Sequence, residues 1–290
     1  MKLLIYGSKG WIGSQILDYL KANNIEYVEG KVRVDNTKEV EEEIRSINPT
    51  NVLCLVGRTH GQINDKVYTT IDYLEQKGKL VENIRDNLFA QVSLSLICSK
   101  LGVHLSAMST GCIFQYDSTH DQVNGFTEDD LPNFFDSSYS IVKGFNDRLM
   151  HLLPVLSVRI RMPISSQPNS RNFITKITKY EKICSMVNSM TVLDDFIPIL
   201  IDLCERKYIG TLNFTNPGVI SHNEILEMYK EIVDPDFTWK NFSYEEQIQI
   251  LAAGRSNNLL DTTLLTSLYP DVPNIKDSMR SVLMKYKTYL

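Results

Sequence analysis

At 290 residues with a formal net charge of -5, the chain has the size of one large α/β domain, or of a large domain with a small cap. The negative balance argues against sequence-independent binding to nucleic acid or to an acidic membrane surface. The five cysteines form no CxxC pair and no even framework, so reduced thiols and a cytoplasmic location are expected.

The opening "MKLLIYGSKGW" holds too short an apolar run for a signal peptide or a membrane span. "LLIYG" and "IEYVEG" read as strands, and "WIGSQILDYLKANN" between them puts Ile12, Ile16, Leu17 and Leu20 on one helical face. "TKEVEEEIRSI" is the next helix, with Thr37 as its expected cap and a solvated acidic face, and "NVLCLVG" is the third strand. One long helix is expected over "LVENIRDNLFAQVSLSLICSKLG", leading into the strand "VHLSAM"; "VLSVRIRM" is another strand. Strands alternating with helices predict a doubly wound parallel sheet of Rossmann type. After about residue 162 the rhythm loosens and turns such as "QPNS" and "TNPG" multiply. The expected organisation is a nucleotide-binding region over 1–162 and a smaller substrate-binding region over 163–290, without a linker between them. The tail "SMRSVLMKYKTYL" reads as an amphipathic helix. The five histidines show no metal-ligand spacing, no metal is expected, and His222 in "SHNE" reads as a helix cap.

In such a sheet ligands bind at the carboxyl ends of the strands. "YGSKGWIG" places Gly7, Gly10 and Gly13 there, with Trp11 and Ile12 opening the helix, and these five are the candidate cofactor-binding residues. The GxxGxxG spacing is typical of the extended short-chain dehydrogenase/reductase group. At the end of the second strand "VEGKVRVD" sends mixed signals: Glu29 favours NAD, Lys31 and Arg33 favour NADP. Lys31, directly after Gly30, tips the expectation to NADPH over NADH. "YSIVK" puts Tyr139 and Lys143 on one helical face, so that an ammonium would lower the pKa of a proton-donating phenol. "YVEGK" and "YLEQK" share that spacing, but only Tyr139 lies downstream of a hydroxyl-bearing strand end. Ser109 or Thr110 supplies the third hydroxyl, and Thr110 is preferred. Cys112, two residues on, reads by residue chemistry alone as a small buried side chain.

"MSTGCIFQYD", "PNFFDSSYSIVK", "RIRMPISS", "RNFITKI", "NSMTVLDD", "NFTNPGVISHNEILEMYK" and "AAGRSNNLLD" closely resemble the bifunctional 3,5-epimerase/4-reductases that make UDP-L-rhamnose in plants. The likeness is nearly continuous from about residue 106 to 261 and weaker before it. It implies that UDP-4-keto-6-deoxy-D-glucose is epimerised at C3 and C5 and reduced at C4 by NADPH. It assigns Cys112 and Lys176 to epimerisation, Thr110, Tyr139 and Lys143 to reduction, and Asn172 and Arg255 to the nucleotide sugar. Arg58, Asn87, Tyr139 and Lys143 would also meet the cofactor. A separate 4,6-dehydratase would supply the substrate, and a homodimer would suit the fold group. Residues 59–79 match poorly and receive no role. The rival readings are a reductase acting only on an already epimerised dTDP- or UDP-sugar, and a non-catalytic NADP-binding regulator.

Overall fold

The computed structural model describes residues 1–290 except 244, 247, 248 and 250. The described chain divides into two units: residues 1–113, 135–159 and 197–212 form the first, and 114–134, 160–196 and 213–290 the second.

The first unit is built on a six-stranded sheet. Its strands are β1 (Lys2–Tyr6), β2 (Glu26–Glu29), β3 (Asn51–Cys54), β6 (His104–Thr110), β7 (Leu156–Ile160) and β9 (Gly210–Asn213), in the order β2-β1-β3-β6-β7-β9. β1 pairs in parallel with β2 and with β3, and β3 with β6, as βαβ crossovers require. The order reverses at β1, so the crevice beyond the ends of β1 and β3 is the switch point where a doubly wound sheet takes its ligand. The strands bury apolar runs such as Leu3-Leu4-Ile5, and Leu4, Val52 and Leu105 pack with Val40, Ile44, Leu94 and Met150.

Helix α1 (Trp11–Ala22) buries Gly13, Ile16, Leu17 and Leu20, while Ile12 is only half-buried. Helix α2 (Thr37–Ile47) is capped by Asn36, whose side chain accepts from the Glu39 amide; Thr37, the expected cap, is instead its first residue. The expected long helix is α3 (Leu80–Ile84) and α4 (Ala90–Leu101) joined by a π-helical turn over Arg85–Phe89. That wide turn carries Asp86 and Asn87, both buried. Helix α5 (Ser138–His151) is capped by Ser137 and docked on β7 by a wholly buried ion pair, Arg159 Nε and Nη2 each 2.8 Å from an Asp147 oxygen. Asp147→Ala removes that carboxylate from a guanidinium in a dry site. Denaturant melts should show about 3–5 kcal/mol of lost stability. Between β3 and α3, the strands β4 (Gly61–Ile63) and β5 (Lys66–Tyr68) form a hairpin followed by a single 3-10 turn, Ile71–Tyr73.

The second unit gathers Ile164, Ile174, Met190, Ile220, Ile225, Met279 and Leu283 into its own core. It holds α6 (Phe173–Ile177), β8 (Lys182–Ile183) paired with β10 (Lys240–Asn241), α8 (His222–Ile232) and a terminal amphipathic helix, Ile275–Lys287. α7 (Leu193–Glu205) runs from this unit into the first. The cap of α8 is Ser221, in a reciprocal box with Glu224, not His222; that histidine is the first helical residue and its ring lies edge-on to Phe173. Among the described residues no helix is long and apolar enough to cross a membrane, and no group of three or more metal-ligating side chains occurs.

Candidate active site

The loop after β1 is fitted to a close-lying anion. Gly7 sits at φ +87°, and a Cβ there would lie 2.9 Å from the Leu55 carbonyl carbon. A Cβ on Gly13 would lie 2.5 Å from both the Gly7 and Ser8 oxygens, so the turn closes only with hydrogen at that position. Gly10, the N-cap of α1, offers no side-chain cap, and the first turn beginning at Trp11 and Ile12 carries no acidic residue. Its amide groups and the positive end of the helix are therefore available to a pyrophosphate. A cradle of this shape fits a dinucleotide.

At the end of β2, Lys31 to Arg33 and Asp35 to Glu39 line a pocket of about 660 Å3, which none of the proposed catalytic side chains borders. Lys31 is exposed, with its amide donating to Glu43. Arg33 is held 3.0 Å from Asp35 and 4.0 Å from Asp86. Glu29 accepts a hydrogen bond from Ser8 Oγ at 2.8 Å, so the acidic residue of this strand end is tied to the glycine loop. At the end of β3, Asn87 clamps the Arg58 backbone, accepting from its amide at 2.9 Å and donating to its carbonyl at 2.8 Å. The Arg58 guanidinium is held by Asp86 at 2.5 Å. Both side chains thus shape the loop at the switch point.

Thr110, Cys112 and Tyr139 come together at the end of β6. The Cys112 amide donates to Thr110 Oγ1 at 3.1 Å, and the Cys112 carbonyl accepts from Ser140 Oγ at 2.8 Å. Cys112 is half-buried and packs with Tyr73, Leu74 and Tyr139. Burial pushes the Tyr139 phenol far up, Cys112 adds to the rise, and a hydrogen bond from Thr110 opposes it. Lys143, one turn along α5, is itself buried and pushed down to about 8 by loss of water, with Cys54 and Asp147 working against the fall. The expectation that Lys143 depresses the phenol therefore fails here: desolvation dominates both groups. Ser109 Oγ, beside Thr110, is buried and has no hydrogen-bond partner among the described residues, an unspent donor at the same strand end.

In the second unit Lys176 lies on α6, and burial, aided by the neighbouring Arg171, pushes its ammonium down to about 8. Asn172 caps that helix. It is fully buried, its oxygen accepts from Ile174, and its amide nitrogen donates to the Ser165 and Gln167 carbonyls. These bonds make it an organiser of the loop that presents Lys176. Arg255 is half-buried, and its Nη1 donates to the Ala253 carbonyl at 2.6 Å.

Sequence reasoning missed the contribution of residues 59–79. Tyr73 is buried against Tyr139, its hydroxyl donates to Glu82, and Gly61 leaves room for its ring, which a Cβ would meet at 2.4 Å. Only that glycine hinted at a close approach.

No protein-family model matches the chain. It is 52% identical to a protein of Acanthamoeba polyphaga mimivirus, whose crystal structure is that of the L780 UDP-rhamnose synthase. The two superpose with a TM-score of 0.94 over 98% of this chain and 99% of that one. The chain is 44% identical over 280 residues to an Arabidopsis thaliana bifunctional dTDP-4-dehydrorhamnose 3,5-epimerase/dTDP-4-dehydrorhamnose reductase, covering 95% of this chain and 90% of the relative. A dTDP-4-dehydrorhamnose reductase from Bacillus anthracis, solved with NADP, shares the fold at 17% identity, with a TM-score of 0.78 over 98% of this chain and 99% of that one. Together with the glycine cradle and the Thr110–Tyr139 pair, the Arabidopsis match over nearly the whole length establishes that the chain belongs to the family of bifunctional dTDP-4-dehydrorhamnose 3,5-epimerase/dTDP-4-dehydrorhamnose reductases.

Proposed function

We propose that this chain converts UDP-4-keto-6-deoxy-D-glucose to UDP-L-rhamnose, epimerising C3 and C5 and then reducing C4. The observation that carries this reading is a thiol, Cys112, packed against the Tyr139 phenol beside the end of the strand that carries Thr110. Hydrogens at C3 and C5 are acidic only because enolate charge can spread to the C4 oxygen. The Thr110 and Tyr139 hydroxyls are the donors for that oxygen. Inversion needs a base on one ring face and an acid on the other, the roles given to Cys112 and Lys176. After epimerisation the same hydroxyls polarise C4, and the Tyr139 phenol hands its proton to the oxygen as the carbon is reduced. The nicotinamide cofactor, when bound, supplies the hydride. Lys143 completes the reductase triad, and Asn172 fixes the helix that carries Lys176. Arg255 is assigned to the sugar nucleotide, and a separate 4,6-dehydratase supplies the substrate.

NADPH is the proposed cofactor. Lys31 and Arg33 border the pocket at the end of β2, whereas Glu29, which would favour NADH, is engaged by Ser8. Lys31→Ala should raise the KM for NADPH about tenfold and leave that for NADH within twofold, as loss of one phosphate contact predicts. Steady-state rates with each cofactor check this.

The deciding experiment is incubation with UDP-4-keto-6-deoxy-D-glucose in heavy water, with and without NADPH. Deuterium entering C3 and C5, followed by UDP-rhamnose formation when NADPH is present, is the expected result. NADPH consumption only with a pre-epimerised sugar would reduce the reading to a 4-keto-reductase. Neither exchange nor oxidation with any sugar would leave a nucleotide-binding regulator.

A further inference from the structure

Beyond the groups that meet the sugar, Tyr139 depends on how the first turn of α5 is held. Ser138, its first helical residue, is gripped from the segment that sequence comparison left without a role. Glu75 Oε1 accepts from the Ser138 amide at 2.8 Å and lies 2.9 Å from the Ser138 hydroxyl. The hydroxyl also lies 3.1 Å from the Leu74 carbonyl and accepts from Asn83 Nδ2 at 3.2 Å. Asn83, fully buried, accepts in turn from Asn87, the residue that clamps the Arg58 backbone at the end of β3. One partly buried polar chain therefore runs from the switch-point loop to the start of the helix bearing Tyr139 and Lys143. Tyr73 and Leu74, the two residues before Glu75, pack on the Tyr139 ring. The same short segment holds both the ring and the backbone that carries it.

We propose that Glu75, acting through the amide and hydroxyl of Ser138, is the positioning residue that sets the Tyr139 phenol in its working place. A carboxylate bound to two donors at a helix start is worth more than an ordinary cap, because charge, hydrogen bonds and helix dipole act together. Proton delivery tolerates little displacement, so loosening this turn acts on the chemical step rather than on sugar binding. The proposal rests on the reading of Tyr139 as proton donor.

The test uses the full chain with Glu75→Ala and Glu75→Gln. It measures kcat and KM for 4-keto-sugar reduction, and amide hydrogen exchange over residues 138–143. Glu75→Ala should lower kcat about tenfold or more with KM within threefold, and should speed exchange in that turn. Glu75→Gln, which keeps the acceptor oxygen, should recover kcat to within about threefold and restore protection. An alanine variant with wild-type kcat, or a loss that glutamine does not rescue, overturns the proposal. If Glu75→Ala does not fold, Ser138→Ala takes its place. It keeps the amide donor and loses the hydroxyl contacts, and a wild-type kcat there also overturns it. If the unaltered chain reduces no 4-keto sugar, the Tyr139 reading itself falls, and unchanged exchange in Glu75→Ala would still sink the positioning role separately.

Discussion

Tyr139→Phe should slow C4 reduction about 10^2- to 10^4-fold, the range spanned by loss of a placed general acid, while deuterium exchange beside the ketone continues. The substitution deletes one oxygen. The ring keeps its packing against Tyr73 and Leu74, so folding should be spared and the loss read in kcat. Burial raises the phenol's affinity for its proton, so at neutral pH Tyr139 is a loaded acid. Lys143, one turn further along α5, is pushed down to about 8 by loss of water. Thr110 remains in the variant to support enolate charge, which is why exchange should persist. NADPH absorbance and NMR of the same sample separate the two outcomes. Equal loss of both would mean that the phenol, not Thr110, carries the enolate.

Much of this centre was legible because its parts are local. Gly7, Gly10 and Gly13 announce themselves by spacing at one strand end, and Tyr139 and Lys143 by one turn of helix. The βαβ order was legible for the same reason: apolar strand runs and amphipathic helices carry their periodicity within a dozen residues. What escaped was set by distant partners. Glu75 caps a helix sixty-three residues away, and nothing in "YLEQK" distinguishes it from a surface glutamate. The π-helical turn hides inside a run that reads as continuous helix, because one extra residue per turn leaves no mark on composition. Arg159 and Arg161 fall in "VLSVRIRM", which reads simply as a strand, yet both are wholly buried, one on Asp147 and one on Asn188, Ser189 and Ser256. The electrostatic expectation for Tyr139 failed for a related reason. Spacing reveals which charges are near, but not how much water has been removed around them, and here dehydration is the larger effect.

Cys112→Ala should abolish epimerisation, with exchange at C3 and C5 falling about 10^3-fold, while a pre-epimerised 4-keto sugar is still reduced at a rate near the unaltered one. The residue's backbone, not its sulfur, makes the bonds to Thr110 and Ser140, so alanine preserves the frame around Tyr139. Joint loss of both activities in folded protein would dissolve the division of labour. Loss of exchange at one carbon only would confine the thiol to that position. Lys176 then completes the assignment. At a pKa of about 8, roughly a tenth of it is neutral at pH 7, against less than about a thousandth for an ordinary lysine. A base must be neutral before it accepts a proton, so exchange catalysed by Lys176 as base rises with pH and levels off above about 8. Acting as acid it must be charged, and the same exchange would fall through that pH. Initial rates of deuterium entry between pH 6 and 9 therefore give the direction of the limb, and the direction tells whether Lys176 acts as base or as acid.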